Sequence, residues 1–262
     1  MIEHLRTTHS SRPRTARGFT LIELMISITI AVFLIGGALA IVGRTKNVFV
    51  AQNQLAQLQD NERLAMTFMA EVIESAGYFP SPKLYTAAAV MPVAGVFATS
   101  GQPVFGTYSA AAPGDTITVR FGAAPLDNVY GCTGVSNAAV APYDTYVNKF
   151  WINTPAAPLR PQLMCTFTNN AGTNPAGGVA LINGGTNMGV TNLAILYGIK
   201  RNPANTGSCS DTYLNASQML AADWQNVCSV AVTVTFDNPL IPAQPITIRR
   251  VIAVMTTAGV NS

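Results

Sequence analysis

Few residues in this chain have chemistry to offer, and one group of them stands beside its longest apolar run. Arg17-Gly18-Phe19-Thr20-Leu21-Ile22-Glu23-Leu24-Met25 leads into a stretch with no charge and no proline from Leu24 to Val42. Phe19 to Val42 is 24 residues, about 36 Å as an α-helix at ~1.5 Å per residue, enough to cross a bilayer core with some tilt. Glu23 is thus a lone carboxylate near the start of a membrane-length helix, where it costs roughly 2.5 to 3.5 kcal/mol. Such a group needs either a headgroup within reach or a positive partner, in the membrane or on a neighbouring subunit.

The preceding residues set a direction. Arg6, Arg12, Arg14 and Arg17 against Glu3 give a local charge of +3, so the positive-inside rule keeps this stub cytoplasmic and sends the bulk of the chain outward. Without residues 1–18 the chain has 11 basic and 11 acidic residues and is formally neutral. The pI near 8.7 therefore belongs to the leading segment, and no nucleic-acid partner follows from it.

Absences narrow the function further. Both histidines, His4 and His9, precede Gly18, which leaves the rest without a histidine-based acid/base pair, a Ser-His-Asp triad or a histidine zinc site. No enzyme, cofactor, metal site or small-molecule substrate is expected. Asp115, Asp127, Asp144, Asp211, Asp223 and Asp237 are scattered and read as turn residues rather than a glycosidase pair. Gly177-Gly178 and Gly184-Gly185 match no phosphate-binding fingerprint and also read as turns. Tyr143, Tyr146, Phe150 and Trp151 suit either an exposed patch or strand interiors.

Four cysteines, Cys132, Cys165, Cys209 and Cys228, lie beyond the apolar run. An even number in an oxidising compartment reads as two disulfides with three possible connectivities. Cys132 with Cys165 and Cys209 with Cys228 is favoured, because each pair would staple a loop to a neighbouring strand. Closing loops of this size stabilises by roughly 3 to 4 kcal/mol.

The elements that must carry these groups follow from periodicity. Leu55, Leu58, Ala65, Met69, Val72 and Ala76 recur at helical spacing, so one helix is predicted from about Phe19 to about Ala76. Gly77 supplies a stop, and Pro80 and Pro82 prevent continuation. Strands are predicted at 116–121, 147–152, 162–167, 191–200, 227–236 and 246–255, the alternation being clearest in Val230, Val232, Val234 and Phe236. A mainly antiparallel sheet resting on the second half of the helix gives each element somewhere to bury its apolar face.

The Gly18-Phe19 junction with Glu23 resembles a class III prepilin signal of the type IV pilin superfamily. The resemblance implies cleavage by a prepilin peptidase between Gly18 and Phe19, N-methylation of Phe19, and an assembly role for Glu23. Asp60-Asn61-Glu62-Arg63-Leu64-Ala65, Glu74-Ser75-Ala76-Gly77-Tyr78-Phe79, the 192–198 and 224–230 stretches and Arg249-Arg250-Val251 are similar to PilW-type minor pilins. The expected fold class is accordingly α+β and type IV pilin-like. It comprises a leader (1–18), a transmembrane assembly helix (19–43), the amphipathic half of that helix (44–77) and a β-rich head (78–262) with two disulfides.

The family implies a minor pilin that primes or tips pilus assembly. Its implied partners are prepilin peptidase, other minor pilins, the major pilin, inner-membrane lipid and a tip adhesin. Its place would be the inner membrane, head in the periplasm, then the pilus surface. The alternatives are a pseudopilin of a type II secretion system, which shares the signal and helix, and a pilus-tip adhesin or DNA-uptake pilin.

Overall fold

The computed structural model describes residues 18–134, 142–183 and 188–255. The stub with Arg6, Arg12, Arg14, Arg17 and both histidines lies outside them, as does Gly184-Gly185. The chain divides into two compact units, Met1–Val50 and Ala51–Ser262.

Helix α1 runs Leu21–Glu74. Within the first unit, none of the membrane-length window of α1 is buried, and its described hydroxyls are satisfied along its own backbone. Ser27 and Thr29 donate to the carbonyls of Glu23 (2.7 Å) and Met25 (2.8 Å), and Thr45 donates to that of Ile41 (2.9 Å). A hydroxyl that bonds one turn back is compatible with hydrocarbon, where an unpaired polar group is costly.

The second unit begins inside α1. Leu58, Ala65, Met69, Val72 and Ala76 are buried, as the spacing predicts, whereas Leu55 is exposed. Met66, Ala70 and Ile73 are buried as well, so the packed face is wider than a single stripe. The last turn closes through Ser75 N–H to Glu71 O (3.3 Å) and Ala76 N–H to Ile73 O (3.1 Å). Gly77 then takes φ +85°, a left-handed value that favours glycine. A four-residue turn of helix, α2, covers Ala87–Val90.

Two antiparallel sheets follow where one was expected. The first has the order β1 (Val104–Thr107), β2 (Thr116–Ala123), β3 (Asp144–Asn153), β4 (Gln162–Asn169), β5 (Gly172–Ile182). In the second, β6 (Val190–Ile199) and β8 (Ser229–Phe236) are central, with β7 (Thr212–Leu214) and β9 (Ile246–Ala253) at the edges. Strand β2 is buried on both faces from Ile117 to Ala123, its Ile117, Val119 and Phe121 face in the shared core and its Arg120 face under the 92–102 segment.

One core joins the buried face of α1 to both sheets, from Phe121, Phe150 and Phe167 to Tyr197, Val232 and Phe236. A further correction concerns Gly177 and Gly178, which belong to edge strand β5 rather than a turn. Both have positive φ, beside an irregular register between β4 and β5, as expected of a bulge. Gly178 has no room for a Cβ, which would lie 2.6 Å from the Cys165 carbonyl oxygen and 2.7 Å from the Trp151 ring.

Candidate functional site

The segment with the richest chemistry starts where α1 starts. Gly18, Phe19 and Thr20 are non-helical, and the helix begins at Leu21. Thr20 sits at the N-cap position. Its carbonyl accepts from Leu24 N–H at 3.2 Å, and its Oγ1 accepts from Glu23 N–H at 3.4 Å. Thr20-Leu21-Ile22-Glu23 is thus a capping-box sequence with its backbone half formed. The signal is present in the sequence as threonine followed three residues later by glutamate.

Two consequences follow for Glu23. Its carboxylate lies in the first turn of α1, where the helix dipole favours negative charge. It also meets no cation among the described residues. A lone acid held at the mouth of an unburied apolar helix presents its carboxyl group to whatever packs beside it. Past the apolar run, Arg44 and Lys46 are the next charges on α1.

The head carries the other predicted residues. Cys132 pairs with Cys165 and Cys209 with Cys228, with Cα–Cα distances of 6.3 and 6.1 Å. Cys165 lies in β4 and Cys228 immediately precedes β8, so each bridge ties a loop to a strand region of a different sheet. Among the described residues no three His, Cys, Asp or Glu side chains gather as metal ligands would.

The aspartates do not converge, and two are not surface residues. Asp115 is buried and accepts from the backbone N–H of Ser109 (2.9 Å) and of Ile195 (2.8 Å). Beside it, Asp115 N–H donates to Leu193 O at 2.7 Å, so this residue clips the first sheet to the second. Asp144 is buried and accepts from Asn170 N–H at 2.9 Å.

Asp211 accepts from the backbone N–H groups of Arg201 and Asn202 and from the Thr212 hydroxyl, which hold its carboxyl below the usual carboxylate range. Asp223 and Asp237 form ion pairs with Arg201 (2.7 Å) and Arg160 (3.7 Å), and Asp127 caps its own loop through Ala124 and Val129 N–H. These arrangements hold loops in place.

The aromatic residues divide by face. Tyr146 and Phe150 are core residues and Trp151 is half-buried on the opposite face of β3. Burial, helped by the charges of Asp144 and Asp127, pushes the Tyr146 hydroxyl up to about 12. Burial is also the main cause of the rise at Tyr197, with the Asp115 charge adding to it.

Sequence reasoning missed Arg120, which is 1% exposed although a charged strand residue ordinarily reads as outward-facing. Its guanidinium donates to the carbonyls of Gln102 (2.6 Å), Thr99 (2.8 Å) and Pro92, and lies 4.1 Å over the Phe97 ring. Desolvation lowers its pKa to about 10, which leaves it charged at neutral pH.

Two family models match the chain. Type IV pilus-assembly protein W matches residues 149–244, from within β3 through β8. The prokaryotic N-terminal methylation motif matches residues 13–39, which include Gly18, Phe19 and Glu23. These two matches support a PilW-type minor pilin of the type IV pilus. Comparison with curated proteins and with solved structures gave no match. Both families are structural rather than enzymatic. The methylation motif brings with it processing by a prepilin peptidase and assembly with other pilins, and the apolar helix anchors the pilin in the inner membrane.

Proposed function

We propose that the pilin acts in assembly through a processed helix that carries its own register mark. Prepilin peptidase cuts between Gly18 and Phe19 on the cytoplasmic side, and Phe19 becomes the N-methylated first residue. The basic stub holds the N-terminus inside and the head faces the periplasm. On extraction, the apolar half of α1 exchanges lipid neighbours for other pilin helices, and the Glu23 carboxylate meets the amine of an adjacent subunit's Phe19.

The observation that carries this reading is the composition of the unburied half of α1. Between Leu21 and Val42 it holds one charged side chain, Glu23, and its described hydroxyls are bonded to its own backbone. In a low-dielectric bundle an ion pair is strengthened, but it must also offset the desolvation of both partners. Its effect is therefore on register and recruitment rather than on net stability. The head would then sit at or near the pilus tip in a small complex of minor pilins that primes the fibre, in contact with the major pilin and a tip adhesin.

An in-frame deletion tests the reading, with sheared surface pili and twitching scored beside secretion of exported hydrolases in one strain. Lost or reduced pili with normal secretion is the expected result. Lost secretion with intact pili would move the chain to a type II secretion system.

A further inference from the structure

A cleft on the head is not explained by assembly. The outer face of the first sheet turns away from the core, and the Pro92–Phe97 segment stands over it as a wall, enclosing a cavity of about 430 Å³. Strand register sets the floor. Thr118, Lys149 and Thr166 are direct cross-strand partners over β2, β3 and β4, and Arg120, Val147 and Thr168 form the next row. With strands about 4.8 Å apart, these six side chains make a compact grid with the two cations on a diagonal.

The chemistry of the grid is specific. No carboxylate lines the cleft, and Arg120 makes no ion pair among the described residues. Its three hydrogen bonds to carbonyls leave part of a five-donor guanidinium uncommitted,. The same bonds fix the wall at Pro92 and just beyond its other end, at Thr99 and Gln102. Thr145 adds a second anchor, its hydroxyl donating to Val90 O at 2.5 Å.

Thr118 and Thr166 offer hydroxyls that can both donate and accept, and Asn169 and Asn170 close one end. Two residues along β3 on the Lys149 face stands Trp151, with the Lys149 Nζ 5.7 Å from its ring centre. Gly178 leaves room for that indole, since a Cβ there would lie 2.7 Å from its ring.

We propose that this cleft binds a carboxylated saccharide. The negative group seats on the exposed Lys149 ammonium, where charge-assisted hydrogen bonds are strongest, with the buried Arg120 guanidinium behind it adding positive potential. Ring hydroxyls meet Thr118, Thr166 and the asparagines. The volume falls within the ~300 to 1,000 Å³ typical of small-molecule sites and accommodates a short oligosaccharide end rather than a polymer lying lengthwise. A neutral sugar would leave both cations without a counter-charge, and a bare inorganic anion would leave the hydroxyl row unused.

The test is calorimetric titration of the full chain in detergent micelles with a uronate disaccharide, its carboxyl-reduced neutral counterpart and inorganic phosphate. The uronate is expected to bind at least about tenfold more tightly than either of the others, as expected for hydrogen bonds to a charged group. Lys149→Gln, a change at an exposed side chain, is expected to weaken the uronate by about tenfold with an unchanged melting temperature. Thr166→Val is expected to weaken it by a smaller factor. No binding, equal binding of acid and neutral sugar, phosphate binding as tight as the uronate, or a Lys149→Gln protein that binds like the parent would each overturn the proposal. Binding is read on the purified chain, so the outcome is separable from the pilus reading.

Discussion

Residues 21–50 bury nothing of their own, whereas from Ala51 onward the apolar faces of helix and strands close on one another. The difference is one of where the partner lies. The first region has its described hydroxyls satisfied along its own backbone and leaves its apolar surface and one carboxylate for lipid and other subunits. The head completes its packing within the chain and is tied by two disulfides. Changes in the helix should therefore alter processing and assembly with little effect on the head's melting, and core changes in the head should do the reverse.

The largest expected effect is all-or-none. Gly18→Val should leave the precursor uncut, visible as a band retaining the 18-residue leader, while the head melts as in the parent. A cut elsewhere would break the contrast by showing that the junction is not at Gly18.

Next in size, replacing Cys132 and Cys165 together by serine should destabilise the head by about 3 kcal/mol, read by thermal or denaturant melting, with normal N-terminal processing. Met69→Ala, at a position with no exposure in the core face of α1, should cost about 2 to 5 kcal/mol and again spare cleavage.

The smallest effect is the most diagnostic of the head's interior. The Tyr146 hydroxyl is buried and has no hydrogen-bond partner in the described structure. Its pKa is raised from 10 to about 12, so the stability it contributes is fully present below pH 10 and lost as pH rises through about 12. Tyr146→Phe removes an unsatisfied polar atom and should be neutral or slightly stabilising at pH 7. It should also flatten the loss of stability between pH 10 and 12 in alkaline melts. A large loss at neutral pH would mean that the hydroxyl has a partner.

What could be read in advance follows the same division. The leader junction, Glu23 and the membrane-length helix are local patterns, legible because a charge in an apolar run or a glycine before a phenylalanine needs no tertiary context. The central strands were legible through alternation, as in β8, where Val230, Val232, Val234 and Phe236 are all buried. Strands β1 and β7 were not, because Val104–Thr107 and Thr212–Leu214 are too short to show a period. Strand β5 was hidden by its glycines and proline, which an edge strand tolerates and a turn also favours.

The cover on the second face of β2 was hidden for another reason. Burial of β2 on both faces depends on what packs above it, which no single stretch records. Arg120 illustrates the limit, since its burial rests on carbonyls of the 92–102 segment that only the fold brings near. The row of Thr118, Lys149 and Thr166 in the cleft likewise comes from register across three strands.

The most direct test of the assembly account is the fate of Glu23→Ala in cells, measured as the fraction of the pilin in sheared pili relative to the membrane pool. The account predicts a subunit that is inserted and cut after Gly18 but scarcely recruited, with partial recovery in Glu23→Asp. Incorporation of Glu23→Ala at the parent level would contradict it, and would leave the cap formed by Thr20 as the only use of this position.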